Sequence, residues 1–281
     1  MRNIQANQIT KSISELFTQC SYIIGDDIKD SIDTALKIEP SPIGRNTLLQ
    51  ISQNYDIAAR ERIAICQDTG MSVVFVELGQ DVHIEGGQFE EAIQQGVREA
   101  YLHGYLRKSI VAEPLFERVN TKDNTPAVIH TRIVPGDKLK LTAVAKGFGS
   151  ENMSALKMLV PADGIEGVKR FVLETVERAG PNPCPPIVVG LGIGGTFEQA
   201  ALMAKEATAL PLSRSNENPK YKQLEEELLT RINELGVGPG GTGGLTTALK
   251  VHIIYAPTHI AGLPVAVNIC CHAARHASQI L

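Results

Sequence analysis

A strand-like run that passes through several glycines into a helix-like segment is the most restrictive feature of this 281-residue chain. Residues 183–196 read PCPPIVVGLGIGGT, and a helix is predicted to follow at about 198–209. Gly190, Gly192 and Gly195 match the spacing G-x-G-x-x-G, which is typical of dinucleotide-binding βαβ units. Such a unit also needs a second strand ending in Asp or Glu about 20 residues on, and the polar stretch SRSNENPK stands there instead. An NAD-dependent oxidoreductase is therefore only a remote alternative, and we expect the glycines to let backbone pack closely behind Cys184.

Apolar periodicity divides the remaining chain into helix-like and strand-like segments. Helices are predicted for most of residues 1–60 and for 89–104, 164–179 and 221–236. Strands are predicted at 72–78, 128–134, 138–146, 250–256 and 264–270. Pro135-Gly136 predicts a hairpin between the second and third of these strands, and Gly236 is expected to cap the last helix.

These segments together predict a mixed α/β (α+β) fold. We expect two interwoven lobes with helices packed on mixed sheets, and a helical N-terminal region. Because no linker or repeat interrupts the pattern, residues 1–281 are predicted to form a single catalytic domain, with a helical segment at 1–60 and the lobes at 61–281.

Composition excludes several classes of protein. The net charge of -4 and the pI near 6.0 provide no basic field for nucleic acid, and no apolar run is long enough to span a membrane. The N-terminal residues lack the apolar core of a secretory signal, so a cytoplasmic location is expected. The five cysteines, an odd number without repeated short spacing, disfavour a disulfide framework.

Cys66, Cys184 and Cys271 each lie at the boundary of a predicted element, beside glycine, proline or polar residues. A single cysteine in such a chain is more often a small buried hydrophobe, but three such positions favour a joint site. Three thiolates are one fewer than the four that saturate an iron-sulfur cube, and the remaining iron could then act as a Lewis acid on a substrate. The spacing alone does not decide between these interpretations. A zinc site at His272 and His276, four residues apart on one helical face, is a weaker alternative.

A second glycine cluster, GVGPGGTGG, occupies residues 236–244. It lacks the Gly-Lys-Ser/Thr ending of a nucleotide-binding loop, so a nucleotide triphosphatase is disfavoured. Two interpretations remain open: the loop backbone approaches a ligand or another chain segment closely, or the loop is simply flexible.

The segments CQDTG (66–70), LRKSIV (106–111), KGFGSENMS (146–154), CPPIVVGLGIGGT (184–196), GVGPGGTGG (236–244) and THIAGLPVAVNICCHAARHA (258–277) resemble, in this order, the alpha region of class I fumarases and tartrate dehydratases. That family consists of oxygen-sensitive hydro-lyases with a 4Fe-4S cluster. The resemblance implies a cluster with three cysteine ligands and one substrate-accessible iron. The implied ligands are Cys66, Cys184 and Cys271, the last preferred over Cys270 because it directly precedes the histidine of the CHA motif.

The same resemblance implies the residues that contact substrate. Gln67 and Asp68 match the pair that follows the first cysteine, and Arg107 matches a carboxylate clamp. Gly149 corresponds to a backbone contact and His259 to a substrate-binding histidine. Asp68 and His259 are the candidate catalytic residues, since a carboxylate or an imidazole can position or move a proton.

Single-chain members of the family continue beyond the region that matches Leu281, so the chain resembles the alpha subunit of the two-subunit form. We expect a beta subunit to complete the site, in an alpha2-beta2 assembly, and a dicarboxylate as substrate. The expected reaction is the reversible hydration of fumarate to (S)-malate, within the tricarboxylic acid cycle, and the alternative is dehydration of tartrate to oxaloacetate. A non-catalytic scaffold that only binds the partner is a further hypothesis, which would leave each cysteine replaceable.

Overall fold

The structure is a computed structural model and describes residues 2–281. The helices are α1 Ala6–Tyr22, α2 Asp26–Ile38, α3 Pro42–Glu61, α4 Phe89–His103, α5 Phe148–Glu151, α6 Gly164–Ala179, α7 Phe197–Ala207 and α8 Pro219–Glu234. The strands are β1 Arg2–Gln5, β2 Met71–Gly79, β3 Val82–Glu85, β4 Val128–Val134, β5 Leu139–Lys146, β6 Ala155–Leu159, β7 Ile187–Gly195, β8 Ala248–Thr258, β9 Leu263–Cys270 and β10 His276–Ile280. Short 3-10 turns occur at Pro161–Asp163 and Pro239–Gly241.

Helices hold 42% of the residues and strands 26%, which confirms the α+β prediction. The chain divides into two compact units that alternate along the sequence. The first contains residues 2–25, 55–148 and 275–281, and the second contains residues 26–54 and 149–274. Among residues 2–281, no helix combines the length and the apolar character that a membrane crossing requires. The assignment of residues 1–281 to a single catalytic domain stays a prediction.

In the first unit, a four-stranded sheet in the order β10-β5-β2-β4 carries the core. Helices α1 and α4 cover it, with Ile9, Ile13 and Phe17 of α1 fully buried against Ile93 and Val97 of α4. The apolar residues recur every three to four positions, which is the spacing that directs one helical face inward. A separate pair of parallel strands, β1 and β3, completes this unit.

In the second unit, the four-stranded sheet has the order β6-β9-β7-β8, and β7 runs parallel to β8 and antiparallel to β9. The alternation along β7 explains its sequence. Val189, Leu191 and Ile193 face the apolar core formed with α6 and α8. Gly190 and Gly192 face α7, where a β-carbon would lie only 2.2 Å from the Ala204 carbonyl oxygen or 2.0 Å from that of Ala200.

These two glycines therefore lie inside a strand and not in a turn. They allow helix α7 to lie directly on the sheet, which differs from the expected packing behind Cys184. The φ angles that favour glycine, 89° and 70°, occur at the last two residues of β7, Gly194 and Gly195, where the register with β8 shifts.

Two local predictions are wrong. Strands β4 and β5 do not form a hairpin with each other, because β2 lies between them and is parallel to β4. His272 and His276 do not share a helical face, because residues 271–275 are irregular and His276 begins β10. The i, i+4 geometry that suggested zinc is therefore lost.

Candidate functional site

Cys184 lies in a tight turn before β7 with an unusual backbone conformation. Its φ angle is +52°, a left-handed conformation that costs a residue with a β-carbon about 1–2 kcal/mol. The backbone is held on both sides: the Cys184 N–H donates to the Pro181 carbonyl at 3.0 Å, and the Cys184 carbonyl accepts from the His272 N–H at 3.3 Å. The residue is exposed. A strained, exposed cysteine with a fixed backbone is typical of a functional position.

The hydrogen bond between Cys184 and His272 brings the second predicted ligand close, because Cys271 immediately precedes His272. Cys271 follows the last residue of β9 and is half-buried. Cys270 is paired with Val188 inside the sheet and is only 5% exposed. Of the two neighbouring cysteines, Cys271 is the one available at the end of the strands where Cys184 lies.

Gly149, the predicted backbone contact, adjoins the same turn. A β-carbon on Gly149 would meet only the Asn182 carbonyl, at 3.6 Å, and Asn182 is two residues before Cys184. The second unit thus brings together three of the predicted site residues: Cys184, Cys271 and Gly149.

In the first unit, the turn that contains Cys66 is held from beneath by a buried tyrosine. The Tyr101 hydroxyl donates to the carbonyls of Thr69 and Gly70 at 2.7 and 3.2 Å. Burial raises the pKa of Tyr101, so the phenol keeps the proton that it donates. The Thr69 hydroxyl in turn donates to the Arg107 carbonyl at 2.9 Å, which places the arginine beside this turn.

The side chains of the turn are differently placed. Gln67 and Arg107 are exposed, whereas Asp68 is half-buried. One Asp68 carboxylate oxygen accepts from the Gly70 N–H at 3.0 Å, and the other accepts from the Phe148 N–H at 2.8 Å. These two hydrogen bonds fix Asp68 in place. Because an ionised carboxylate has further acceptor positions, Asp68 can still bind another donor.

Arg275 is a residue that the sequence reasoning missed. It is 2% exposed, and its buried Nε and Nη1 atoms have no hydrogen-bond partner among residues 2–281. A β-carbon on Gly147 would lie 3.3 Å from an Asp68 carboxylate oxygen and 3.4 Å from Arg275 Nη2, so both groups flank one point. A buried guanidinium therefore lies near the Asp68 carboxylate, on the other side of Gly147. Its position within CHAARHA was the only available signal, since nothing local predicts that an arginine is buried.

His259 is not brought close to Cys184 and Cys271. It follows Thr258, which pairs with Gly195 at the C-terminal end of β7, whereas Cys270 pairs with Val188 near the other end. The seven steps from Val188 to Gly195, at about 3.3 Å per residue, separate the two ends of β7 by about 23 Å. His259 is exposed there, and its Nδ1 accepts from the Ala261 N–H at 3.2 Å.

The donor set fits an iron-sulfur cluster in its chemistry. Cys66 and Cys271 are half-buried and Cys184 is exposed, whereas Cys20 is 1% exposed and burial raises the pKa of its thiol to about 12. Cys20 is thus unsuited to act as a thiolate ligand. Within residues 2–281, no three His, Cys, Asp or Glu side chains converge on a single metal ion. The ligands of a cube bind different irons and need not converge in that way.

Comparison with known proteins assigns the class. The family described as Fumarate hydratase (Fumerase) matches residues 10–279, nearly the whole chain. The chain belongs to this family of hydro-lyases, as its motifs predict.

The similar curated proteins have more specific names. A protein of Methanocaldococcus jannaschii, provisionally named L(+)-tartrate dehydratase subunit alpha, is 42% identical over 96% of this chain and 96% of its own length. The L(+)-tartrate dehydratase subunit alpha of Escherichia coli O157:H7 is 31% identical over 98% of this chain and 91% of its own. The subunit of the same name from Escherichia coli strain UTI89 is 32% identical over 96% and 89%.

Proposed function

We propose that the chain is the alpha subunit of an iron-sulfur hydro-lyase that removes water from L(+)-tartrate and yields oxaloacetate. The names of its relatives favour tartrate over the fumarate reaction expected from the motifs. Those relatives are named as alpha subunits, which supports a beta subunit as partner. An alpha2-beta2 assembly and a cytoplasmic location remain parts of this proposal.

The observation that carries the proposal is the arrangement of Cys184 and Cys271. The left-handed φ of +52° at Cys184 costs folding free energy. The Cys184 carbonyl also accepts a hydrogen bond from His272, the residue after Cys271. Such a cost is typical of functional sites, and a metal ligand is the role that its thiolate chemistry favours. Cys66 is the third proposed ligand of a cube with one open iron.

When bound, the cluster would supply a Lewis acid that polarises the C–O bond of the leaving hydroxyl. The other steps belong to protein groups. Arg107 has a planar guanidinium that suits bidentate binding of a substrate carboxylate. Gln67 and the Gly149 backbone would orient the substrate through hydrogen bonds. Asp68, fixed by two backbone donors, would accept a hydrogen bond from the substrate and hold its hydroxyl in place.

The proton on the neighbouring carbon requires a base. We assign this role to the beta subunit. His259 lies about 23 Å along β7 from the strand end where Cys184 lies. Its proposed contact with substrate would therefore come from a second copy of the chain in the assembly.

Fumarate is the second candidate substrate, because the description of the matching family names fumarate hydratase. Co-expression with the beta subunit, anaerobic reconstitution and parallel assays on L(+)-tartrate and fumarate would distinguish the two. We expect higher kcat/KM with tartrate, measured as oxaloacetate formation, than with fumarate, measured by ultraviolet absorbance. Higher kcat/KM with fumarate would reverse the substrate assignment, and full activity of a Cys184→Ala variant would refute the cluster assignment.

A further inference from the structure

The glycine-rich residues 236–244 form a structured loop, which we call the glycine loop, and it lies against the turn that carries Cys184. The Gly240 N–H donates to the Pro185 carbonyl at 2.7 Å. A β-carbon on Gly241, whose φ is +75°, would lie 2.1 Å from the Pro181 β-carbon. The loop therefore touches the Cys184 turn on both sides of the cysteine, and at Pro181 the approach is so close that only glycine fits at position 241. Of the two interpretations left open by the sequence, close backbone approach is the one observed.

Glu39 anchors the far end of the glycine loop. Its side chain is 2% exposed, and its two carboxylate oxygens accept from the N–H groups of Ser41 and Leu245 at 3.1 and 2.9 Å. A β-carbon on Gly244 would lie 2.6 Å from a Glu39 oxygen, and one on Gly44 would lie 3.1 Å from the same carboxyl group. The Glu39 carboxyl group thus lies close against Gly44 and Gly244, and it accepts the N–H of Leu245, which directly follows the glycine loop.

Burial makes this anchor energetically demanding. A buried carboxylate that loses a hydrogen-bond donor is left uncompensated, which costs more than the loss of an ordinary hydrogen bond. The Glu39 carboxylate therefore favours the conformation in which the end of the loop presents the Leu245 N–H to it.

We propose that Glu39 and the glycine loop position Cys184, with Glu39 fixing the loop and the loop fixing the turn at Pro181 and Pro185. Glu39 acts through other residues and is a positioning residue. That Cys184 serves as a cluster ligand rests on the proposed function, whereas the positioning itself concerns only the chain and is testable without iron.

The loop offers a matched pair of substitutions. Gly241→Ala introduces a left-handed alanine whose β-carbon would clash with Pro181. Gly243→Ala introduces a left-handed alanine at φ +82° whose β-carbon meets nothing within 4 Å. The two variants share the backbone strain, and only the first displaces the Cys184 turn.

The experiment measures alkylation of Cys184 by iodoacetamide in the full-length chain freed of iron, with peptide mass spectrometry and Cys66 as the internal reference. We expect the Cys184 alkylation rates of Gly241→Ala and Gly243→Ala to differ at least about fivefold, which corresponds to about 1 kcal/mol, because only the first variant changes the surroundings of this exposed cysteine. The Cys66 rate should be equal in both variants. Equal Cys184 rates in the two variants would overturn the proposal.

Glu39→Gln gives the second test and decides the matter if Gly241→Ala does not fold. A glutamine keeps one acceptor oxygen but presents an NH2 group to the other backbone donor. We expect a Cys184 alkylation rate different from that of the wild type, and an unchanged rate would count against the proposal. If the wild-type chain binds no iron while the Cys184 rates still separate, the cluster assignment fails and the positioning stands. If iron binds and the Cys184 rates coincide, the positioning proposal fails and the cluster assignment stands.

Discussion

Replacing Gly192 with alanine tests why the sheet of the second unit carries glycines. The new β-carbon would lie 2.0 Å from the Ala200 carbonyl oxygen and 2.8 Å from the Ala204 backbone nitrogen. Both atoms belong to the backbone of helix α7, so no side-chain rotation relieves the contact. A β-carbon is essentially never found closer than 3.0 Å to such atoms, and the helix would have to move by about 1 Å.

That movement would disturb Ala200 and Ala204, which are no more than 1% exposed. Overpacking of a core typically costs about 1–3 kcal/mol, and we expect about 3 kcal/mol here because the clash is with backbone. A glycine that served only as a flexible strand residue would instead give a gain of about 0.5–1 kcal/mol on replacement by alanine.

Urea denaturation of the wild type and of Gly192→Ala, followed by far-ultraviolet circular dichroism, measures the difference in the free energy of unfolding. Gly262→Ala is the control, because its β-carbon would meet only atoms 3.9 Å away. This variant should be as stable as the wild type or more stable by up to about 1 kcal/mol. An alanine at position 192 that is neutral or stabilising would refute the reasoning.

Three further predictions follow from the structure. Cys184→Gly should make the iron-free chain about 1 kcal/mol more stable than Cys184→Ala in denaturant titrations, because glycine removes the left-handed strain, and equal stabilities would show that no strain is present. Burial, followed by the nearby Lys250 and Arg214, lowers the pKa of His252 from 6.5 to about 4, so the native state holds it neutral. The contribution of His252 to stability should therefore be constant above about pH 6.5 and fall by on the order of 3 kcal/mol as the pH drops to about 4, and His252→Asn should remove this part of the slope in pH-dependent denaturation. Co-expressed His259→Ala and Cys184→Ala chains, each inactive alone, should recover part of the activity when mixed in one assembly, and no recovery would place His259 outside a shared site.

Much of the second unit could be predicted because its signals are local. Residues 189–194 alternate between large apolar side chains and glycine. Helix α8 ends before Gly236, which has the left-handed conformation that a C-terminal cap requires. The hairpin of β4 and β5 was wrongly predicted because strand pairing depends on a third, distant strand that the turn at Pro135-Gly136 does not reveal.

The candidate site shows the same division. Motifs indicated the cysteines, and local context separates Cys271 from Cys270. The burial of Glu39 and Arg275 could not be predicted. The Leu245 N–H that binds Glu39 is distant in sequence, and two buried nitrogen atoms of Arg275 have no hydrogen-bond partner among residues 2–281 that a pattern could reveal. A charged residue is ordinarily expected at the surface.

We propose that Cys66, Cys184 and Cys271 hold a 4Fe-4S cluster. This proposal is tested most directly by iron and acid-labile sulfide analysis of the chain purified without oxygen together with its partner, in the wild type, Cys184→Ala and Cys270→Ala. We predict about four irons and four sulfides per chain in the wild type and in Cys270→Ala, and loss of both in Cys184→Ala. Full iron and sulfide content in Cys184→Ala, or an active wild type without iron, would contradict the claim.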